Sequence, residues 1–145
     1  VVLGRPTPYI NKVKSWVAHN GLSARVHFLH NVPNEDLPAI YQQAEVFAYP
    51  SRYEGFGIPI IEAIQSGLPV VACTGSCLEE AGGPHNLYVA PNDHKGMAKA
   101  INARLKGQAG RDEAISQSMA YVQRFENKNV AEQVAHCLFG REKME

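Results

Sequence analysis

Short apolar stretches alternate along the chain with segments whose apolar residues recur every three or four positions, a pattern of strands alternating with amphipathic helices. Val1 to Leu3 predicts a strand closed by Gly4, and Tyr9, Val13, Trp16 and Val17 then share a helical face up to a stop at Asn20 and Gly21. Arg25 to His30 predicts a second strand, and Leu37, Ile40 and Tyr41 face inward from a helix that Asn34 is placed to cap. Glu45 to Tyr49 reads as a buried strand ended by Pro50. A helix over Ile60 to Gln65 follows, with Pro59 in its first turn and a stop at Ser66 and Gly67. Pro69 to Cys73 and Leu87 to Ala90 predict further strands, with a short helix at Leu78 to Ala81 between them. Met97, Ile101 and Leu105 mark a helix after the turn Pro91-Asn92-Asp93. Arg111 to Phe125 and Asn129 to Phe139 are helical, apolar at Ile115, Met119 and Val122 and at Val130, Val134 and Leu138. The alternation predicts an α/β fold, a Rossmann-like parallel sheet with helices on both faces.

The most informative segment is the turn between the strand at 45–49 and the following helix. Gly55 and Gly57 are expected to permit backbone conformations closed to other residues and to let a ligand approach the main chain. N–H groups at 55–58, with the positive end of the helix dipole, suit a phosphate group. Glu54 and Glu62 bracket that turn, and carboxylates repel phosphate. If they face one pocket, they hold neutral groups on either side of the phosphates, and sugar hydroxyls fit, because a carboxylate accepts two hydrogen bonds from a diol. Glu62, placed in the first helical turn, reads as a clamp on a ribose 2′,3′-diol. Glu54 reads as a contact to a transferred sugar.

Composition adds exclusions. Fourteen basic and 14 acidic residues give a formal net charge of zero, which offers no electrostatic surface for nucleic acid. Three cysteines, Cys73, Cys77 and Cys137, lack a zinc or redox partner set and read as reduced thiols of a cytoplasmic protein. His19, His27, His85, His94 and His136 lack metal-ligand spacing, so no metal or other cofactor is expected. Arg5 and Arg52 could reach a diphosphate, but isolated loop arginines usually face water. No apolar run approaches the roughly 20 residues that span a bilayer, and peripheral attachment at the inner face of a membrane stays open.

The run Pro50-Ser51-Arg52-Tyr53-Glu54-Gly55-Phe56-Gly57-Ile58-Pro59-Ile60-Ile61-Glu62-Ala63, followed by Gly67-Leu68-Pro69-Val70, resembles the signature of the retaining GT-B glycosyltransferases of the family 4 type, the glycosyl transferases group 1. The resemblance extends over residues 1–107 and is to the C-terminal, donor-binding domain. It implies that Glu54, in the catalytic position, and the main chain of Gly55, Phe56 and Gly57 meet the donor sugar and diphosphate. It implies further that Glu62 binds the ribose and that Asn31 and Val32 lie by the nucleobase. The family usually has glycine where this chain has His30. The implied reaction is metal-independent transfer of a hexose from a nucleoside diphosphate sugar to a saccharide or lipid-linked acceptor, with retention.

Set beside that pattern, Val1 to Gly4 matches the family's second donor-domain strand. The first strand with its basic loop, and an N-terminal acceptor domain, are therefore expected outside this sequence. On this reading residues 1–145 are one donor-binding domain, with 108–145 as C-terminal helices, incomplete and inactive alone. Direct pairing of the strands at 1–4 and 45–49 would contradict the missing strand. A glycoside hydrolase, with carboxylates roughly 5 to 9.5 Å apart, leaves the phosphate-type turn unexplained. A dehydrogenase fails at the third glycine of its fingerprint. A GT-B sugar-nucleotide epimerase and a non-catalytic nucleotide-sugar-binding domain remain as alternatives.

Overall fold

The computed structural model describes residues 1–140 and divides into two compact units, Val1–Leu37 and the remainder. In the first unit, β1 (Val2–Leu3) and β2 (Phe28–Leu29) pair in parallel with Val2 opposite Phe28 and Leu3 opposite Leu29. Helix α1 (Pro8–His19) connects them, opening on a proline whose missing N–H costs nothing there. It closes where Asn20 Nδ2 donates to the Trp16 carbonyl at 2.8 Å and Leu22 N–H donates to Val17 at 2.9 Å.

Several expectations for this unit are corrected. The strand foreseen from Arg25 begins only at Phe28, because the N–H groups of Arg25 and Val26 both donate to the Leu22 carbonyl in the turn leaving α1. Of the foreseen helical face, Val17 is buried, whereas Tyr9 and Trp16 are exposed. Asn34 does not cap a helix; it is the first residue of a 3-10 turn (Asn34–Asp36) with Pro33 at the cap position.

The second unit is built on a parallel sheet in the order β3 (Phe47–Tyr49), β4 (Val70–Cys73), β5 (Leu87–Val89). Phe47 stands opposite Val70, and Val71 opposite Leu87. Among the described residues, β1 pairs only with β2 and β3 only with β4. Central β4 is buried along its length, as an unbroken apolar strand in a parallel sheet must be. Beyond β2 the helices are, in chain order, α2 (Leu37–Gln43), α3 (Ile58–Gln65), α4 (Leu78–Gly82), α5 (His94–Asn102) and α6 (Arg111–Val122), then a 3-10 turn (Gln123–Phe125) and α7 (Asn127–Phe139).

Ile60, Ile64, Val70, Val71 and Leu78 are fully buried, and each such side chain contributes about 1.5–3 kcal/mol of transfer free energy. Two polar side chains, Asn86 and Ser118, sit inside this core. Asn86 accepts a hydrogen bond from Val70 N–H at 2.8 Å and donates to the Gly82 carbonyl at 2.7 Å and to Ser118 Oγ at 3.0 Å. It thereby joins β4, α4 and α6. Arg111 ties the start of α6 to the chain leading into β3 by donating to the Glu45 carbonyl at 3.0 Å.

The C-terminal helices differ from their sequence pattern. Helix α6 buries Val122 as expected, but in its earlier turns it buries Ala114 and Ser118, while Ile115 is half-buried and Met119 is 41% exposed, so there the inward face is rotated by about one residue. In α7 no residue is buried, and Val130, Val134 and Leu138 are all exposed. Residues 141–145, the end of the C-terminal segment, lie outside the described residues.

Candidate active site

Strand β3 delivers its last residue, Tyr49, to the corner where the glycine loop begins. Tyr49 Oη donates to Glu54 Oε1 at 2.7 Å across five residues of chain. The Tyr49 hydroxyl, followed by that of Ser51, holds the Glu54 carboxyl below its usual range, so Glu54 is ionised at neutral pH. Ser51 Oγ itself lies 3.3 Å from the Tyr53 carbonyl and also braces the turn. From the far side, the Cys77 thiol at the start of α4 donates to the Glu54 carbonyl at 3.2 Å. Both ends of Glu54, carboxylate and main chain, are therefore held.

The two glycines of the turn play different parts, a correction to their joint reading. Gly57 has φ +94° and is buried, and a Cβ built on it would stand 3.0 Å from Ala81 Cβ and 3.2 Å from Leu78 Cδ2. It is required by its backbone angle and by the packing of α3 on α4. Gly55 has no positive φ and nothing within 4 Å of an added Cβ, so the fold itself does not demand glycine there. What Gly55 leaves is open space over the main chain. Phe56 is partly exposed and sets its ring edge-on to Phe125 at 5.5 Å.

Among the described residues, the N–H groups of Gly55, Phe56, Gly57 and Ile58 find no acceptor. The first N–H of α3 to be engaged is that of Ile60, which donates to the Gly57 carbonyl at 2.9 Å, and Gly57 supplies no side-chain cap. The loop and the helix start thus present unpaired donors at the positive end of the α3 dipole.

Glu62 is the fifth residue of α3, in the second turn of the helix and not the first, because α3 begins at Ile58. It is half-buried, and one carboxylate oxygen accepts from Tyr41 Oη at 3.2 Å. Burial first, and the Glu62 charge second, push the Tyr41 pKa up to about 12. Burial and then Glu54 likewise raise that of Tyr49, so both phenols are donors at neutral pH. Phe47 joins the two tyrosines: its ring meets Tyr41 edge-on at 5.6 Å and stacks with Tyr49 at 5.5 Å.

Five of the expected site residues, Glu54, Gly55, Phe56, Gly57 and Glu62, therefore share the second unit. Asn31 and Val32 belong to the first, where Asn31, two residues after the end of β2, takes φ +54° and so makes a left-handed turn. His30 closes that strand pair through Nδ1, 2.8 Å from the Gly4 carbonyl, while its Nε2 is buried without a partner.

Arg52 does not simply face water: its guanidinium donates to Asn92 Oδ1. The two residues rim a hollow of about 110 Å³ with Pro50, Cys73, Ala90 and His94, at the C-terminal ends of β3, β4 and β5. A larger hollow, about 320 Å³, lies at the other end of β5 among His85, Arg104 and Glu113. Ligands of parallel α/β sheets bind at the carboxyl ends of the strands, so the larger hollow is the less relevant one. Sequence reasoning missed Tyr41, Tyr49 and Cys77. The available signal was a hydroxyl on an aromatic residue that closes a strand just before an acidic loop.

No group of three potential metal-binding side chains occurs among the described residues. Nor is any described helix long and apolar enough to cross a membrane.

Comparison with known proteins accounts for this architecture. The chain is 38% identical over 112 residues to O-antigen chain mannosyltransferase B of Escherichia coli, a match covering 77% of this chain and 29% of that protein. It is 36% identical over 138 residues to O-antigen chain mannosyltransferase RfbU of Salmonella typhimurium, covering 95% of this chain and 38% of that one. Among solved structures, Anabaena Alr3699/HepE in complex with UDP and glucose superposes with a TM-score of 0.82 at 25% identity, over 94% of this chain and 39% of that one. The chain thus spans about a third of the length of these proteins, and its fold is that of the C-terminal domain of GT-B glycosyltransferases. The family model for glycosyl transferases group 1 matches residues 1–121, and the chain belongs to that family.

Proposed function

We propose that this chain binds the donor in a glycosyltransferase that moves a hexose from a nucleoside diphosphate sugar to a hydroxyl of a saccharide or lipid-linked acceptor, with retained configuration. The observation that carries the reading is the pairing of two carboxylates, each hydrogen-bonded to a tyrosine, across a turn whose N–H groups have no acceptor. The unpaired N–H groups and the α3 dipole stabilise charge growing on the departing diphosphate. Glu62 holds the ribose diol and Glu54 the transferred sugar, and these contacts fix the reacting geometry. Neither carboxylate has to move a proton for that.

The curated relatives named as O-antigen mannosyltransferases support a role in polysaccharide assembly and make a mannosyl donor the first to test. The neighbour solved with UDP and glucose supports a nucleotide hexose at the site. Asn31 and Val32 are assigned to the nucleobase through their main chain, a role supported by the resemblance and by the left-handed turn at Asn31. A further strand and an acceptor domain are proposed in the full-length protein, supported by the resemblance and by the chain's spanning only 29% and 38% of the two mannosyltransferases it matches. Residues 1–145 alone are then inactive.

The test is a calorimetric titration of full-length protein with a panel of nucleoside diphosphate sugars, repeated for Glu54→Ala and Glu62→Ala. Glu62→Ala is expected to weaken binding even of the bare diphosphate. Glu54→Ala is expected chiefly to remove the preference for the sugar-bearing ligand. Equal and negligible losses would reject the division of roles.

A further inference from the structure

Two phenols stand behind the two glutamates, and each engages a single carboxylate oxygen, Oε1 of Glu54 and Oε2 of Glu62. Neither hydroxyl has another partner among the described residues; Tyr41 is the one protein donor to Glu62 among them, and Glu54 is reached besides by the Ser51 hydroxyl. An ionised carboxylate has about four lone-pair sites, so one hydrogen bond to tyrosine leaves each glutamate able to accept from a ligand. That same bond removes a freedom. The last torsion of a glutamate is broad and nearly two-fold, so a solvated Glu offers either oxygen in many orientations. A donor fixed in the protein selects one.

The donors here are fixed. Tyr41 is 8% exposed on α2, and Tyr49 occupies the last position of β3, opposite Ala72 of the buried central strand. Phe47 touches both rings, so the two hydroxyls are carried by one contiguous aromatic row. Phenylalanine would fill the same space at either position without bringing a polar group out of water, a cost that is offset only where the hydroxyl finds a partner. In both cases the partner is a glutamate of the proposed donor site.

We propose that Tyr41 and Tyr49 are positioning residues that, braced together through Phe47, orient Glu62 toward the ribose diol and Glu54 toward the transferred hexose of a nucleoside diphosphate sugar. The inference rests on the donor-site reading above. It assigns no chemistry to either phenol: both act through their carboxylates, and neither touches a reacting atom. It predicts two separate defects, because each hydroxyl serves one end of the ligand.

The experiment is calorimetric binding to the full-length protein with three probes: GDP-mannose, GDP, and 2′,3′-dideoxy-GDP. UDP-glucose, UDP and its dideoxy analogue serve instead if the wild type prefers uridine. Tyr49→Phe is expected to reduce the advantage of sugar nucleotide over bare diphosphate by about fivefold, leaving the ratio of ribo to dideoxy ligand unchanged. Tyr41→Phe is expected to reduce the ribo-to-dideoxy ratio by about the same factor, leaving the sugar-dependent ratio unchanged. Tyr41→Phe added to Glu62→Ala, and Tyr49→Phe added to Glu54→Ala, are expected to have no additional effect. A merely structural role would weaken all three ligands equally and leave both ratios at their wild-type values. That result, with the glutamate variants still shifting the ratios, overturns the brace and leaves the donor site standing. A wild type that binds no sugar nucleotide overturns the donor site and the brace with it. Should Tyr41→Phe not fold, the sugar-dependent ratio of Tyr49→Phe decides the proposal alone.

Discussion

Tyr49 and Glu54, on either side of the corner between β3 and the glycine loop, are joined by a 2.7 Å hydrogen bond, shorter than the 3.2 Å bond between Tyr41 and Glu62. The bond favours ionised Glu54 in the folded chain and lowers its pKa from an ordinary 4.5. A carboxyl depressed on folding contributes stability above its unfolded pKa, and that contribution is lost as pH falls through the folded value. Acid titration of stability, followed by circular dichroism, is therefore expected to fall less steeply below about pH 4.5 in Tyr49→Phe than in the wild type. At neutral pH the variant is expected to be the less stable. An unchanged acid profile would show that the bond does not persist in solution.

Tyr41 supplies the opposite sign. Its pKa is raised to about 12 by burial and by Glu62, so its contribution is present below the unfolded value near 10 and is lost as pH rises through 12. Phenolate absorbance of folded protein is expected to include a tyrosine that titrates near pH 12 and disappears in Tyr41→Phe.

Gly57 and Gly55 separate structure from ligand approach. Gly57→Ala combines a φ of +94° with a Cβ only 3.0 Å from Ala81, and a loss of about 1–3 kcal/mol in denaturant titration is expected. Gly55→Ala meets nothing, and its stability is expected to stay within about 0.5 kcal/mol of wild type. On the proposed function, Gly55→Ala nonetheless weakens diphosphate binding, because the new methyl stands over the open main chain.

Asn86 is the third test of packing. Replacing it with leucine strands Val70 N–H, the Gly82 carbonyl and Ser118 Oγ in the core, and each unsatisfied buried group costs about 1–3 kcal/mol. Asn86→Leu is expected to prevent folding or to lower the urea midpoint severely. Ser118→Ala leaves Asn86 its other two partners and is expected to cost only about 1 kcal/mol.

Strand and helix alternation was legible from apolar periodicity, and the glycine loop from its prolines, glycines and glutamates. The remainder depended on groups whose role is set by a partner distant in sequence. Ser118 faces inward because Asn86, 32 residues away, offers it a hydrogen bond, and this shifts the buried side of α6 from Ile115 and Met119 to Ala114 and Ser118. Counting apolar residues alone cannot find a buried serine. Arg25 and Val26 look like strand residues, yet their N–H groups close the turn after α1. Tyr41 and Tyr49 read as core fillers because periodicity registers a ring and ignores its hydroxyl. Glu62 was placed one turn too early because Gly57, not a conventional polar cap, starts the helix at Ile58.

That glycine start has a thermodynamic meaning. A helix that begins on serine or aspartate satisfies its own first donors, whereas α3 begins on a residue with no side chain to offer. An anion seated at Gly55 to Ile58 would complete the helix, so occupancy and helix integrity become one linked equilibrium. Pyrophosphate alone is then expected to slow amide exchange in the first turn of α3. The ligand would be, in effect, a detachable part of the fold.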